Sequence, residues 1–235
     1  MGNTNLESYK LLSFDKITST QDFAHDLIAK GEATNKMVVV AQSQTAGRGR
    51  YKRTWVSHTG NLYASFIYKI SERDPKLSYA IAVAVAETLI HFGLTPQIKW
   101  PNDVLIGDKK VCGILAEAQL PDYLVVGVGL NVNQKEFPND LRRPATSLAL
   151  ELKIDVNVEE LKEKLFSQIA GSLNKGNNNL DDFREHNYLL NKRVRVLINN
   201  EIFIGEVVGI DDSFCLQILS HDMLLHIDSG EIEIL

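Results

Sequence analysis

The order in which apolar segments follow one another constrains this chain most. Ser19-Thr20-Gln21-Asp22 has the spacing of a capping box; Phe23, Ala24, Leu27 and Ile28 follow at helical intervals, and Gly31 stops the run. Lys36–Ala41 is a short β-branched stretch that reads as a buried strand. Asn61–Ile70 alternates, with Leu62, Ala64, Phe66 and Tyr68 on an apolar face and Tyr63, Ser65, Ile67 and Lys69 on a mixed one. Lys76–Phe92 reads as an apolar helix ended by Gly93 and Pro96, and Gln97–Trp100, Val111–Gln119 and Tyr123–Asn131 read as strands. Helix, strand, strand, helix, strand, strand, strand lacks regular βαβ alternation. It predicts an α+β fold, a mixed β-sheet with packed helices, in place of a doubly wound nucleotide fold. Val158–Leu173 and Leu180–Leu190 predict two further helices around a turn-rich stretch, Lys175–Asn179.

From Lys192 the pattern changes. Val194, Val196 and Ile198 alternate, Asn199-Asn200 sits where a tight hairpin turn belongs, and Ile202, Ile204 and Val207 continue beyond it. Phe214–Leu219, Met223–Ile227 and Glu231–Leu235 complete the set of short strands of a small β-barrel, too small to be robust alone. The expected division is a domain over 1–187 and a small one over 188–235, leaning on the first.

Composition excludes several classes. The longest apolar run, Ala80–Ala86, is too short to span a bilayer, and Met1–Lys10 is polar where a secretory signal is apolar. The two cysteines, Cys112 and Cys215, are far apart and form no C-x-x-C, which argues against a disulfide framework or a thiolate zinc site. A formal charge of −5 disfavours a dedicated nucleic-acid binder. These features predict a cytoplasmic protein.

Three constellations carry chemistry. The segment Gln44–Trp55 holds Arg48, Arg50, Lys52 and Arg53 and no acid, while Gly47 and Gly49 let the backbone approach a ligand. Arginines there can fork onto phosphate or carboxylate oxygens, although a solvated basic turn or a nucleic-acid patch has the same composition. Without a following Lys-Ser/Thr it is not a Walker-type loop. Lys99-Trp100-Pro101-Asn102-Asp103 closes a short strand with an ammonium that can face an anion or snorkel at the strand edge. Gly113, Gly127 and Gly129 interrupt strands, which suggests a flat apolar slot floored by sheet. Gly127-x-Gly129 is not a dinucleotide fingerprint, because Asn133–Pro138 reads as a turn and not as a phosphate-facing helix.

In order, S-T-x at a helix start, Q-x-A-G-R-G-R with Trp55 after it, K-W-P-N-D, K-x-x-G-I-L and G-x-G-x-N-x-N resemble the biotin–protein ligase family. The resemblance spans Leu12–Leu150 by motif, and the terminal barrel matches the family's SH3-like domain in type. Tyr51-Lys52 stands where relatives commonly carry a second glycine, and Gln21 where Asn is commoner. The resemblance implies a class II synthetase-like catalytic domain with two half-reactions: biotin and ATP give biotinyl-5′-AMP and pyrophosphate, and a lysine of a biotin carboxyl carrier protein then takes the biotinyl group. It implies that Ser19, Thr20, Gln21, Gln44, Gly47 and Gly113 bind biotin. Arg48, Gly49, Arg50, Lys99 and Asn131 would bind the adenylate or ATP, with Lys99 and Arg48 catalytic. Magnesium would arrive with ATP, with no protein cage for a metal. The partner would be a carboxylase carrier domain, and free sheet edges leave a homodimer open. Only about a dozen residues precede the first motif, so a ligase without DNA-binding repressor activity is expected. The rivals are a lipoate–protein ligase and, in another class, a nucleic-acid-binding module using the barrel and cationic loop.

Overall fold

The computed structural model describes residues 9–70, 76–119, 122–138, 140–174, 179–198 and 201–235. The expected turns at Asn199-Asn200 and over 175–178 of the K-G-N-N-N stretch lie outside these residues. The first unit is a seven-stranded mixed sheet. Its strands are β1 (Lys10–Ile17), β2 (Met37–Gln44), β3 (Leu62–Lys69), β4 (Pro96–Lys99), β5 (Asp103–Ile106), β6 (Lys109–Gln119) and β7 (Tyr123–Leu130), in the order β1-β2-β3-β7-β6-β5-β4. β1 runs parallel to β2 and every other pair is antiparallel.

The sheet's two faces are treated differently, and β3 shows how. Its Leu62, Ala64, Phe66 and Tyr68 point into the main core, under α2 (Lys76–His91) and α4 (Val158–Asn174). Fully burying a large apolar side chain is worth about 1.5–3 kcal/mol. Phe66, Ile81, Leu89, Phe166 and Phe183 are all fully buried on this side, so it carries most of the fold's stability. α2 is apolar all round because it is sandwiched between the sheet and α4. The other face is only half covered. There α1 (Thr20–Ala29) sets Ala24 and Leu27 against Met37, Val39, Ile67 and Val125, and the uncovered remainder, including Tyr63 and Ser65 of β3, walls a cavity.

α1 begins as its sequence predicts. Ser19 is the N-cap, its Oγ accepts from the Asp22 N–H at 3.3 Å, and Gly31 follows the helix in the left-handed region at φ 72°. Four features differ from expectation, the first being β5, an unanticipated four-residue strand too short to show a period. β1 was not anticipated; it is an edge strand exposed along much of its length, which blurs its alternation. A short helix, α3 (Leu148–Leu152), was likewise unmarked. The helix expected over Leu180–Leu190 is α5 (Asn179–Glu185) and stops early, because the chain turns to pair with β4. The Ile98 N–H donates to His186 O at 2.7 Å and the Tyr188 N–H to Ile98 O at 3.0 Å.

The C-terminal strands are β8 (Arg193–Ile198), β9 (Glu201–Ile210), β10 (Leu216–Ser220), β11 (Met223–Ile227) and β12 (Glu231–Ile234). They form one antiparallel sheet in the order β11-β10-β9-β8-β12. Its buried residues, Val194, Val196, Val207, Leu216 and Ile218 among them, join the main core. Phe214 stacks on Tyr79 at 4.5 Å between ring centroids, and Trp100 Nε1 donates to Phe214 O at 3.0 Å. No helix among the described residues is long and apolar enough to cross a membrane.

Candidate active site

The uncovered face opens into a cavity of about 920 Å³ walled by both sheets. At one end the polar side chains bond one another. The Thr20 N–H donates to Gln44 Oε1 at 2.8 Å, Thr20 Oγ1 donates to the same oxygen at 3.2 Å, and Gln44 Nε2 donates to Ser57 Oγ at 2.9 Å. Ser65 Oγ lies 2.9 Å from Thr20 Oγ1 and 3.0 Å from Gln21 Oε1. Ser19, Thr20, Gln21 and Ser65 are buried, so this end is a fixed neutral pattern of donors and acceptors.

The glycines explain themselves by what touches them. A Cβ on Gly127 would stand 2.6 Å from Gln21 Oε1, and one on Gly129 or Gly113 would stand 2.7 or 2.9 Å from the Trp55 ring. The glycine floor exists, and Trp55 and Gln21 lie directly on it. Gly47 does not line the cavity. It is buried behind the wall, where a Cβ would come within 2.4 Å of Ser57 Oγ and 2.7 Å of Trp55 O.

The opposite end is cationic. Lys99 ends β4, and its Nζ donates to Ile232 O of β12 at 3.1 Å. Burial first, then the nearby cation Arg143, lowers its pKa to about 8. Lys110 on β6 pairs with Asp103 at 2.6 Å and sits 5.0 Å from the Trp55 ring centroid. Arg50 donates to Asn102 Oδ1 at 3.3 Å and lies 5.2 Å from the centroid of Tyr51, a residue held at φ 56° in a tight turn. Arg142 pairs with Glu231 of β12 at 2.7 Å, and Arg53 pairs with the same carboxylate.

Ser19, Thr20, Gln21, Gln44, Arg48, Gly49, Arg50, Lys99, Gly113 and Asn131 all line this one cavity. Two of them are engaged in ways the sequence did not suggest. The Arg48 guanidinium donates to Asp22 Oδ1 at 2.7 Å and, as a fork, to the two oxygens of Glu117 at 2.7 and 2.8 Å. Asn131 is buried and spends its amide donor on Thr146 O at 3.0 Å. Sequence reasoning missed Glu117, His25, Ser65, Lys110, Arg142, Arg143 and the β12 wall. The one available signal was Lys110, first residue of the K-x-x-G-I-L motif. Cys112 is a buried free thiol whose pKa burial pushes far up, as a small apolar residue would sit. Among the described residues, no group of three or more His, Cys, Asp or Glu side chains is placed to hold a metal ion.

Residues 13–131 match the family model described as "Biotin/lipoate A/B protein ligase family", and residues 189–235 match "Biotin protein ligase C terminal domain". The "Bifunctional ligase/repressor BirA" of Bacillus subtilis (strain 168) is 34% identical, over 98% of this chain and 76% of that protein. The "Biotin--[acetyl-CoA-carboxylase] ligase" of Mycobacterium tuberculosis is 33% identical, over 87% of this chain and 83% of its own length. The structure titled "Biotin protein ligase from Aquifex aeolicus in complex with biotin and ATP" superposes with a TM-score of 0.85 at 29% identity, covering 96% of this chain and 98% of that one. Fold, site and relatives place the molecule in the class of ligases. The chain belongs to the biotin/lipoate A/B protein ligase family, with a C-terminal match to its biotin branch.

Proposed function

We propose that this chain is a biotin–protein ligase that activates biotin with ATP to biotinyl-5′-AMP and transfers the biotinyl group to one lysine of a biotin carboxyl carrier protein. The observation that carries the reading is the division of one cavity into a hydrogen-bonded neutral end and a cationic end. Biotin offers the matching pair, a polar ureido ring and a carboxylate. In the first step a biotin carboxylate oxygen attacks the α-phosphorus of ATP and pyrophosphate leaves. In the second a lysine ε-amine attacks the acyl carbon of the mixed anhydride and AMP leaves. Two anions must meet in the first step, so positioning and charge neutralisation supply the catalysis, and no side-chain nucleophile is needed.

Ser19, Thr20, Gln21, Gln44 and Gly113 meet the ureido end, and Gly47 serves them from behind by letting Ser57 reach Gln44. Lys99 and Lys110 bring ammonium groups to the carboxylate and α-phosphate, while Gly49, Arg50 and Asn131 border the nucleotide. Arg48, bound to Asp22 and Glu117, tethers the cationic loop that closes over the adenylate and keeps water from the anhydride. Magnesium enters as part of the nucleotide substrate, held by phosphate and water. The chain divides into a catalytic unit over 1–187 and an accessory one over 188–235, and works in the cytoplasm. The carrier docks along the free edge of the mixed sheet, at β1.

The nucleic-acid reading loses its support, since Phe214 is buried against Tyr79 and offers no exposed stacking platform. The test mixes the protein with biotin, ATP, magnesium and an apo carrier domain, and seeks one added biotinyl group on one lysine by mass spectrometry. Lipoate in place of biotin should give none. A carrier left unmodified by biotin, or modified as well by lipoate, would refute the assignment.

A further inference from the structure

Glu117 is a half-buried carboxylate on β6 that does not itself line the cavity, yet two cavity residues hang on it. Its two oxygens take the fork of Arg48 at 2.7 and 2.8 Å. Oε2 also accepts from Gln21 Nε2 at 3.0 Å and lies 3.1 Å from His25 Nε2, whose Nδ1 is 2.5 Å from Gln119 Oε1. Burial opposes its ionisation, but the contacts from His25, Arg48 and Gln21 outweigh this and hold the carboxyl far below the usual carboxylate range. Glu117 is therefore ionised, with three contacts on Oε2 and one on Oε1.

The two residues it holds serve different parts of the site. Gln21 is pinned flat, with its Nε2 3.4 Å from Leu115 O and 3.3 Å from Val125 O, and its Oε1 against Ser65 and the Gly127 backbone. Arg48 stands at the start of the cationic loop, whose Lys52 and Arg53 are exposed. Asp22 supports only the second, through Arg48 Nε.

We propose that Glu117 is a positioning residue that couples occupation of the neutral end to closure of the loop, by fixing Gln21 and Arg48 through one carboxylate. The proposal rests on the biotin–protein ligase reading and adds that recognition of the ureido ring is transmitted to the loop at this residue. Neutralising it is informative because an amide presents one oxygen and an NH₂. Glu117→Gln leaves Arg48 and Gln21 competing for one acceptor, with the new NH₂ facing their donors.

The experiment uses the whole protein, biotin as the probe and no ATP, so binding is read apart from catalysis. Calorimetry gives the dissociation constant, and limited trypsin digestion gives the cleavage rate of the loop after Arg48, Arg50, Lys52 and Arg53. In the unaltered protein saturating biotin slows cleavage. In Glu117→Gln biotin binds about tenfold or more weakly, the scale of a charge-assisted hydrogen bond, and saturating biotin no longer slows cleavage. Asp22→Asn keeps biotin affinity within about twofold, since Gln21 is untouched, but loses part of the protection. The proposal is overturned if Glu117→Gln keeps both affinity and protection, or loses affinity while saturating biotin still protects the loop. If Glu117→Gln does not fold, as circular dichroism would report, Asp22→Asn decides: full protection there overturns the coupling. No biotin binding by the unaltered protein would instead refute the ligase reading.

Discussion

The two ends of the cavity hold their polar groups by opposite means. At the neutral end Thr20, Gln44, Ser57, Ser65 and Gln21 bond one another and most are buried, so their directions are set before any ligand arrives. At the cationic end Arg50, Arg53, Lys99, Lys110, Arg142 and Arg143 face Asp103, Asp140, Glu231 and Glu233, on long side chains that are mostly half-exposed or exposed. A saturated neutral pattern selects by geometry, because a ligand that mismatches it leaves buried groups unpaired. An excess of cations selects by charge and supplies driving force, and its worth depends on pH and salt. On the proposed function, the difference gives discrimination to one end and activation to the other.

Removing the cation proposed to activate the carboxylate is the strongest way to break this division. Lys99→Ala should lower adenylate formation at least ~10²-fold, the scale of one preorganised charge donor, measured as pyrophosphate release with saturating biotin. Its melting temperature should move little, because burial already disfavours the charged form that is lost. Undiminished release would take Lys99 out of the first step.

Next in size is a lesion confined to the neutral end. The Cβ of Gly127→Ala would meet the side-chain amide of Gln21 and not backbone, so the fold should survive while that amide is forced off its bonds to Ser65 and Glu117. Biotin should bind about tenfold more weakly, one lost hydrogen bond at the upper end of its usual range, while KM for ATP, read at saturating biotin, should rise by less than that. Equal losses for both substrates would mean that the two ends are not separable.

A smaller effect is expected from pH. Lys99 carries its charge below about 8 and loses it above, so kcat/KM for ATP should fall by about threefold between pH 7.5 and 8.5, as free-enzyme ionisations do. Biotin affinity measured without ATP should change less over that range, and Lys99→Arg should abolish the limb. The smallest expected contrast is with salt. Raising ionic strength should weaken ATP binding by about twofold or more while leaving recognition of the ureido ring unchanged, since only exposed charge is screened. Equal salt sensitivity for ATP and for a ureido analogue lacking the carboxylate would erase the distinction.

Much of this was legible in the sequence, for local reasons. The α1 start is written in Ser19 and Asp22, the glycine floor in Gly113, Gly127 and Gly129, and the cationic loop in its lack of acids. What escaped depends on contacts across long stretches of chain. Arg48 reads as a phosphate ligand until Asp22 and Glu117 are seen to claim it across 26 and 69 positions. Gly47 reads as part of a binding surface, but it is there for Ser57 and the Trp55 carbonyl. β5 was missed because DVLI is too short to show a period, and β1 because an exposed edge needs little alternation.

Lys99 rests on the carbonyl of Ile232, and Leu235 N–H still pairs with Arg193 O. The amine proposed to meet the reacting carboxylate is thus anchored on β12, in the small C-terminal sheet. A label grafted onto β12 would disturb the strand that seats this amine, so versions altered there should be checked for turnover before their behaviour is credited to the unaltered protein.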